Sequence, residues 1–130
     1  MLVVRRDWRV LQSIRRHLRA QRPDWTIECS SRAEGAFTLL ARHQVDAVVT
    51  EVDLVGLDGL ALLEASHAQY PEVKRVMCCR SLTTEEERRV RRCASARLTE
   101  PITVGELARA LDALVEMRPG ATTDDVQHTG

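Results

Sequence analysis

The sequence contains no apolar run close to the roughly 20 residues that a membrane-spanning helix needs. Its first residues, MLVVRRDW, also lack the longer apolar core and the small-residue cleavage site of a secretory signal peptide. Both absences predict a soluble domain that stays in the cytoplasm, with no membrane partner.

The four cysteines lack the spacing of a metal site. Cys29, Cys78, Cys79 and Cys93 form no C-x-x-C pair and have no histidine at ligand spacing, whereas structural zinc sites combine closely spaced Cys and His. In a cytoplasmic protein such cysteines stay reduced. We therefore expect free thiols, no metal and no cofactor.

An excess of charge of one sign is absent as well, because 19 basic residues face 19 acidic ones. This balance argues against a generic attraction to nucleic acid. The charge is unevenly placed, since residues 1–22 carry seven arginines and one aspartate. Four of these arginines fall on one predicted helix: Arg9, Arg15, Arg16 and Arg19. No helix-turn-helix accompanies them, so we expect them to contact a protein partner rather than nucleic acid.

Enzymatic motifs are missing too. After the first apolar run, the sequence has Arg5-Arg6-Asp7-Trp8 where a nucleotide-binding enzyme has a glycine-rich phosphate loop, and no nucleophile elbow follows elsewhere. We therefore expect a protein that is not an enzyme. Flavin binding at a sheet edge stays open on topology alone.

What the sequence does contain is a regular alternation of apolar β-branched runs and segments of helical period. The predicted strands are Leu2 to Arg5, Thr26 to Cys29, Ala47 to Glu51, Arg75 to Cys79 and Ala96 to Leu98. Several are apolar on both faces, which is typical of a parallel sheet covered on two sides. The alternation predicts five βα units in one three-layer, doubly wound α/β domain over residues 1–117.

Helical period predicts helices that begin near Trp8, after Ser31, near Gly59, at Thr83 or Thr84, and near Val104, the last ending near Met117. In the fourth helix, Thr83 and Thr84 both offer N-caps, and Glu86 and Glu87 stand three residues on as capping-box partners. We also expect ion pairs from Glu85 to Arg89 and from Glu87 to Arg91, at i, i+4 spacing. Residues 118–130 have no periodicity and predict a disordered tail, so we expect a stand-alone domain.

The most specific stretch is Asp46 to Leu60, a buried strand followed by a tight loop with Gly56 and Asp58-Gly59. With the first strand, the Tyr70-Pro71 turn and Glu100-Pro101, it resembles the receiver domains of bacterial response regulators, which have the CheY-like fold. The resemblance covers about residues 1–117. It implies a flavodoxin-like sheet with strand order 2-1-3-4-5.

The resemblance also implies a phosphorylation pocket, and this sequence departs from the pocket at every position. Arg5 and Arg6 replace the acidic pair, Glu51 the phosphoryl acceptor, Cys79 the hydroxyl residue, Glu100 the lysine, Val55 the loop proline, and Arg97 the aromatic residue that reports phosphorylation. A shift of one residue would bring Asp7 into an acidic position. The resemblance therefore implies a degenerate pseudo-receiver that lacks the phosphorylation site.

Charge counting predicts what replaces the metal. Two arginines and two glutamates sum to zero, and guanidinium groups repel a divalent cation but form paired contacts with carboxylates. We therefore expect Arg5 or Arg6 to pair with Glu51 or Glu100. Two interpretations of Glu51 stay open: an imitation of the phosphorylated state, or an arginine-paired carboxylate with no signalling role.

By resemblance, the face of helix four, strand five and helix five is where receivers dimerise or contact targets. Its predicted interaction residues are Glu86, Arg89, Arg92, Arg97 and Arg109, and Glu85 to Glu87 facing Arg88 to Arg92 of a second copy would form a homodimer. The expected function is a phosphorylation-independent protein–protein interaction module in bacterial two-component-type signalling, whose partner is a kinase, regulator or effector.

Two other functions stay open. One is a sensor on the same fold, which binds a small ligand in the altered pocket or oxidises Cys79, whose thiol pKa the neighbouring Arg80 would lower. The other is an arginine-mediated nucleic-acid binder. His17, His43 and His67 fall on separate helices and are expected at the surface.

Overall fold

The computed structural model describes residues 1–54 and 58–115. Five strands alternate with five helices in these ranges. The strands are β1 (Leu2–Val4), β2 (Glu28–Ser30), β3 (Ala47–Glu51), β4 (Lys74–Cys79) and β5 (Ala96–Thr99). The helices are α1 (Trp8–Gln21), α2 (Ala33–Arg42), α3 (Gly59–Gln69), α4 (Thr84–Cys93) and α5 (Val104–Val115).

All strand pairs are parallel, and their order across the sheet is β2-β1-β3-β4-β5. The predicted class and strand order are confirmed. Because β1 lies between β2 and β3, the chain turns back across the sheet beside β1, and the carboxyl ends of β1 and β3 are neighbours. Ligand sites of open α/β sheets occur at this kind of position.

The element boundaries differ from the predicted ones by a few residues. β2 begins at Glu28 rather than Thr26, because its pairing with β1 begins at Leu2 and Glu28. α5 is described as far as Val115. The predicted end near Met117, the predicted tail 118–130 and the predicted loop around Val55 and Gly56 lie outside the described residues.

The core explains the apolar runs of the sequence. Val3 and Val49 point to one face of the sheet, where they pack with Leu11 of α1 and Leu107 of α5. Their neighbours along the strands, Leu2, Val4 and Val48, point to the opposite face. There they pack with Leu40 of α2 and Leu62 of α3. Since both faces of the sheet are covered, consecutive positions along β1 are apolar, and not only every second one.

Helix α4 is held differently from the other helices. Val90 and Cys93 are its buried residues, and most of its remaining side chains are charged. The predicted capping box is confirmed, with the Glu86 N–H donating to the Thr83 hydroxyl at 3.1 Å, and Glu87 contacts Arg91 at 3.5 Å. No helix in the described ranges is long and apolar enough to cross a membrane.

The predicted pair Glu85–Arg89 is wrong. Glu85 instead lies 3.7 Å from Arg88, and the Arg89 guanidinium donates to the Glu64 carboxylate of α3 at 2.5 Å. Arg89 turns away from Glu85 because α3 packs against α4 on that side and offers a second carboxylate. A tertiary contact therefore replaces the expected contact within the helix.

Candidate functional site at the carboxyl ends of the strands

The candidate site lies at the edge of the sheet that holds the carboxyl ends of β1, β3 and β5. Arg5 directly follows β1, Glu51 is the last residue of β3, and Glu100 directly follows β5. Parallel strands bring these ends to one edge of the sheet. We call Arg5, Glu51 and Glu100 the strand-end cluster.

A single guanidinium joins the two carboxylates of the cluster. Arg5 Nε lies 2.7 Å from Glu51 Oε2, and Arg5 Nη1 donates to Glu100 Oε1 at 2.5 Å. The Nε–H has no aligned hydrogen bond, so its contact with Glu51 is an electrostatic one. With 15% of the Arg5 side chain and 19% of the Glu51 side chain exposed, the pair is largely withdrawn from solvent.

The expected ion pairing is therefore confirmed for Arg5. The prediction left Arg5 and Arg6 open, and the Arg6 side chain is exposed and forms no ion pair in the described part of the chain. The alternative alignment with Asp7 in the pocket is wrong, because the Asp7 carboxylate caps α1 by accepting the Arg9 N–H at 2.9 Å. Asp7 is thus a helix cap.

The charges of the cluster act on each other. Burial opposes the charge of Arg5, but the hydrogen bond that Arg5 donates to Glu100 and the charge of Glu51 outweigh burial and raise its pKa. Burial raises the pKa of the Glu51 carboxyl, and the Arg5 charge offsets only part of this effect. Arg5 therefore keeps a fixed positive charge between the two carboxylates.

Gly59, the first residue of α3, lies in close contact with the backbone of Glu51. A Cβ at Gly59 would lie 1.7 Å from the Glu51 carbonyl oxygen, so α3 can begin against the end of β3 only because this residue has no side chain. Asp58 caps the same helix, accepting the Ala61 N–H at 2.6 Å. The Asp58-Gly59 pair in the sequence is the signal of this close approach.

The two cysteines at the end of β4 are buried. Burial raises the pKa of the Cys78 thiol to about 12, and burial also raises the pKa of Cys79. The expectation that Arg80 lowers the Cys79 pKa is wrong, because the Arg80 guanidinium turns towards Asp53 and Glu86 instead. Thiol reactivity depends on the thiolate form, which this environment disfavours.

Arg80 forms a second network beside the strand-end cluster that sequence analysis missed. Its guanidinium donates to both carboxylate oxygens of Asp53, at 2.7 and 2.9 Å, and to both of Glu86, at 3.2 and 3.1 Å. Hydrogen bonds from Arg80 lower the pKa of Asp53, and with the Thr83 N–H they lower that of Glu86 to about 2. The signal was present, since Asp53 and Arg80 each follow a neighbouring strand.

The predicted interaction residues do not share one surface. Arg97 of β5 donates to Glu87 at 2.6 Å, and Arg109 is exposed on α5. Arg89 contacts Glu64 on the opposite side of α4, and the Arg92 charge also acts on Glu64. Glu86 pairs with Arg80 at the start of the helix. The helical period separates positions 89 and 92 from positions 87 and 91.

Two cavities lie at this edge of the sheet in the described part of the chain. A crevice of about 200 Å³ lies beneath Arg5, between α1 and α5, and is lined mainly by apolar residues such as Ile14 and Leu107. A more open one of about 500 Å³ separates the start of α4 from Arg97. The larger space, about 770 Å³, lies at the opposite edge around Tyr70. His17, His43 and His67 are exposed, as predicted.

A scan against models of known protein families finds no match. Among curated proteins, the chain is similar to the heme response regulator HssR of Staphylococcus haemolyticus (strain JCSC1435), with 25% identity over 114 residues, 88% of this chain and 50% of that protein. The chain thus spans about half the length of the curated relative it matches.

Among solved structures, the chain is similar to the signal receiver domain of an HD domain-containing protein from Pseudomonas fluorescens Pf-5, with a TM-score of 0.79 and 27% identity over 88% of this chain and 85% of that one. A CheY-like response regulator receiver domain protein from Methanospirillum hungatei JF-1 gives a TM-score of 0.81 at 18% identity, over 99% and 96% of the two chains. The chain has the CheY-like receiver fold. Together the matches support a receiver domain of two-component signalling.

The strand-end cluster does not fit the Mg²⁺ that the receiver fold implies. Among residues 1–54 and 58–115, no group of three or more His, Cys, Asp or Glu side chains is placed to hold a metal. A cation between Glu51 and Glu100 would meet the Arg5 guanidinium, which has donors only and cannot act as a ligand. In this chain, an arginine stands where the CheY-like fold implies a metal.

Proposed function

We propose that this receiver domain acts through protein–protein contacts in two-component-type signalling, without aspartyl phosphorylation. The observation that carries the proposal is the contact of Arg5 with both Glu51 and Glu100. It ties the ends of three strands together with side chains of this chain alone. The conformation of the edge is therefore set without an added phosphoryl group.

The chemistry of the cluster supports this proposal. Phosphoryl transfer to a carboxylate needs positive charge that stabilises the oxygens of the transferred group, and a metal ion supplies this charge in most such sites. Here the available positive charge belongs to Arg5, and two carboxylates already compensate it. The donors of the guanidinium are directed to these partners, so an incoming phosphoryl group would have to displace them.

The contacts of Glu51 favour one of its two interpretations. An imitation of the phosphorylated state would act through the lysine and hydroxyl residues that the resemblance implies, and these positions hold Glu100 and Cys79. Glu51 instead contacts Arg5, and the Cys79 thiol is buried. Glu51 is therefore proposed to be a structural carboxylate.

The first experiment tests the chemistry. The purified chain is incubated with acetyl phosphate and Mg²⁺, and its intact mass is measured beside that of a phosphorylatable receiver as positive control. We expect no mass increase for this chain under conditions that phosphorylate the control. A mass increase of one phosphoryl group that maps to Glu51, or to any aspartate at this edge, would overturn the proposal.

The second experiment tests the contact with a partner. Wild type and an Arg5→Ala/Glu51→Ala variant of confirmed fold are used to capture proteins from lysate of the source cells, with Arg6→Ala as the matched control. If all three proteins retain the partner, the partner binds the surface of the domain independently of the strand-end cluster. A partner lost only with the double variant shows that the strand-end cluster sets the binding conformation. A partner captured only after treatment with a phosphoryl donor contradicts the proposal.

A further inference from the structure

The arginines of the described residues fall into two groups. Eight have a guanidinium nitrogen within 4.0 Å of a carboxylate oxygen: Arg5, Arg22, Arg32, Arg80, Arg88, Arg89, Arg91 and Arg97. None of the four arginines on α1 belongs to this group. In a chain whose formal net charge is zero, α1 therefore holds positive charge that the described part of the chain does not compensate.

Three of the four uncompensated arginines lie on one side of α1: the exposed Arg16 and Arg19 and the half-buried Arg15. The helix carries four arginines and neither aspartate nor glutamate along its 14 residues. Arg15 and Arg19 are one turn apart, and Gln12 and Trp8 continue the same row towards the start of the helix. Arg16 lies next to this row. We call Trp8, Gln12, Arg15, Arg16 and Arg19 the α1 outer face.

An exposed tryptophan stands at one end of this face. Trp8 is 50% exposed, and no other large hydrophobic residue in the described ranges is exposed. Tryptophan and arginine are the residue types that most often dominate the binding energy of protein interfaces. An exposed indole together with uncompensated guanidinium groups is typical of a surface that docks a protein.

The α1 outer face begins at Trp8, near the strand-end cluster, and its arginines lie farther along the helix. The charges of Arg15 and Arg19 both act on the Cys29 thiol, which belongs to β2, the edge strand of the sheet. The row therefore borders the open edge of the sheet. On the other side of the helix end, Arg22 is already paired with Asp112 of α5, so that side is closed.

We propose that the α1 outer face docks an acidic segment of a partner protein, with carboxylates opposite Arg15, Arg16 and Arg19 and an apolar residue against Trp8. The inference deepens the proposed function, on which it rests, by naming the chemistry of the partner. Charge complementarity carries it, because a carboxylate-rich segment supplies what these guanidinium groups lack within the chain.

A protein segment fits this face better than nucleic acid does. A duplex that extended past the end of the helix would meet the exposed Asp24, whose charge repels phosphate. The zero net charge of the chain provides no long-range attraction for a polyanion. A partner protein can instead place its carboxylates only opposite the arginines and an apolar side chain opposite the indole.

The test places a photo-crosslinking benzoylphenylalanine at position 12, in the middle of the face, in the full chain. After irradiation in the source cells, the crosslinked peptide is mapped by mass spectrometry. We expect it to be rich in Asp and Glu. We also expect crosslinking to fall at least tenfold in an Arg15→Glu/Arg19→Glu variant and several-fold in Trp8→Ala.

Charge reversal elsewhere serves as the control. Arg42→Glu and Arg109→Glu change exposed arginines on α2 and α5 that also lack a carboxylate partner in the described chain, and both are expected to keep the crosslink. The inference is overturned by a crosslink to a neutral segment, by a crosslink that survives reversal of Arg15 and Arg19, by a nucleic-acid adduct, or by no crosslink at position 12 in a folded chain.

A second crosslinker position separates this inference from the proposed function. Position 109 lies on α5, which packs beside α1 on the same face of the sheet, and it reports contacts of that neighbouring helix. A partner crosslinked at position 109 but not at position 12 would leave the proposed function intact and overturn the α1 inference. An α1 crosslink that forms only after treatment with a phosphoryl donor would overturn the proposed function and leave the acidic docking surface standing.

Discussion

The arginines at the carboxyl edge of the sheet are paired with carboxylates, whereas the arginines of α1 are not paired within the described chain. Arg5 and Arg80 each hold two carboxylates from different parts of the chain. Arg16 and Arg19 are exposed on a helix without acidic residues. The comparison shows that arginine content does not define a binding surface. What matters is whether the fold brings a carboxylate to each guanidinium.

Topology decides this difference. Strand ends converge, so charged residues that directly follow strands meet residues that follow neighbouring strands, even when far apart in sequence. Arg5 and Glu100 are such a pair. The outer side of α1 faces solvent, where no other element of the described chain supplies a partner. Internal pairs therefore stabilise the fold, while the α1 charges stay available.

The largest expected effect is on the strand-end cluster. Arg5→Ala leaves Glu51 and Glu100 facing each other without a cation, and we expect the free energy of unfolding to fall by about 2 kcal/mol, between the values for buried and surface pairs. Urea unfolding followed by circular dichroism measures it. Arg6→Ala is the matched control, because the adjacent side chain is exposed, and it should change stability by less than about 0.5 kcal/mol.

A double variant sharpens this prediction. If Arg5 acts by compensating Glu51, then Glu51→Gln should cost less stability in the Arg5→Ala background than in wild type, because there it breaks no ion pair and it relieves the repulsion between the two carboxylates. Equal losses for Arg5→Ala and Arg6→Ala would contradict the assignment of Arg5 as the central cation of the cluster.

A smaller effect is expected where α3 and α4 meet. Arg89 contacts Glu64 at 2.5 Å with 23% of its side chain exposed, so Arg89→Gln should lower the free energy of unfolding by about 1 kcal/mol. Arg92→Gln, one turn further along α4 at an exposed position, is the control and should have little effect. If both variants lose the same amount, the ion pair adds nothing beyond helix propensity.

The pH dependence of Glu86 gives the next prediction. Hydrogen bonds from Arg80 and the Thr83 N–H lower its pKa from 4.5 to about 2, so its contribution to stability is complete above the unfolded pKa and is lost as the pH falls through the folded pKa. Glu86→Gln keeps the capping pattern but removes the charge. The stability difference between wild type and this variant should therefore be largest above pH 5 and shrink towards pH 2.

Urea midpoints measured from pH 6 down to pH 2.5 test this. The control is Glu34→Gln, because the Glu34 side chain is 76% exposed and 3.9 Å from its nearest cation. A Glu86→Gln difference that stays constant over the whole range would show that the carboxylate contributes through its shape and not through its charge.

The sequence allowed much of the fold and part of the site to be predicted, for physical reasons. Strand positions were accessible because apolar runs and helical periods recur regularly, whereas the strand order followed from the resemblance to receiver domains. The contact of Arg5 with Glu51 was accessible because both residues end neighbouring strands. The pairs Arg80–Asp53 and Arg89–Glu64 were missed, since they depend on side-chain directions and on how α3 and α4 pack, which no local pattern specifies.

The smallest expected effect is on α1. Arg19→Gln relieves the repulsion between Arg19 and the like charges of Arg15 and Arg16. It also removes a cation from the last turn of the helix, where a cation interacts favourably with the helix dipole. These opposing contributions should leave the free energy of unfolding within about 0.5 kcal/mol of wild type, as measured in parallel with Arg89→Gln. A loss above about 1 kcal/mol would show that Arg19 stabilises the fold, and its charge would then no longer be free for a partner.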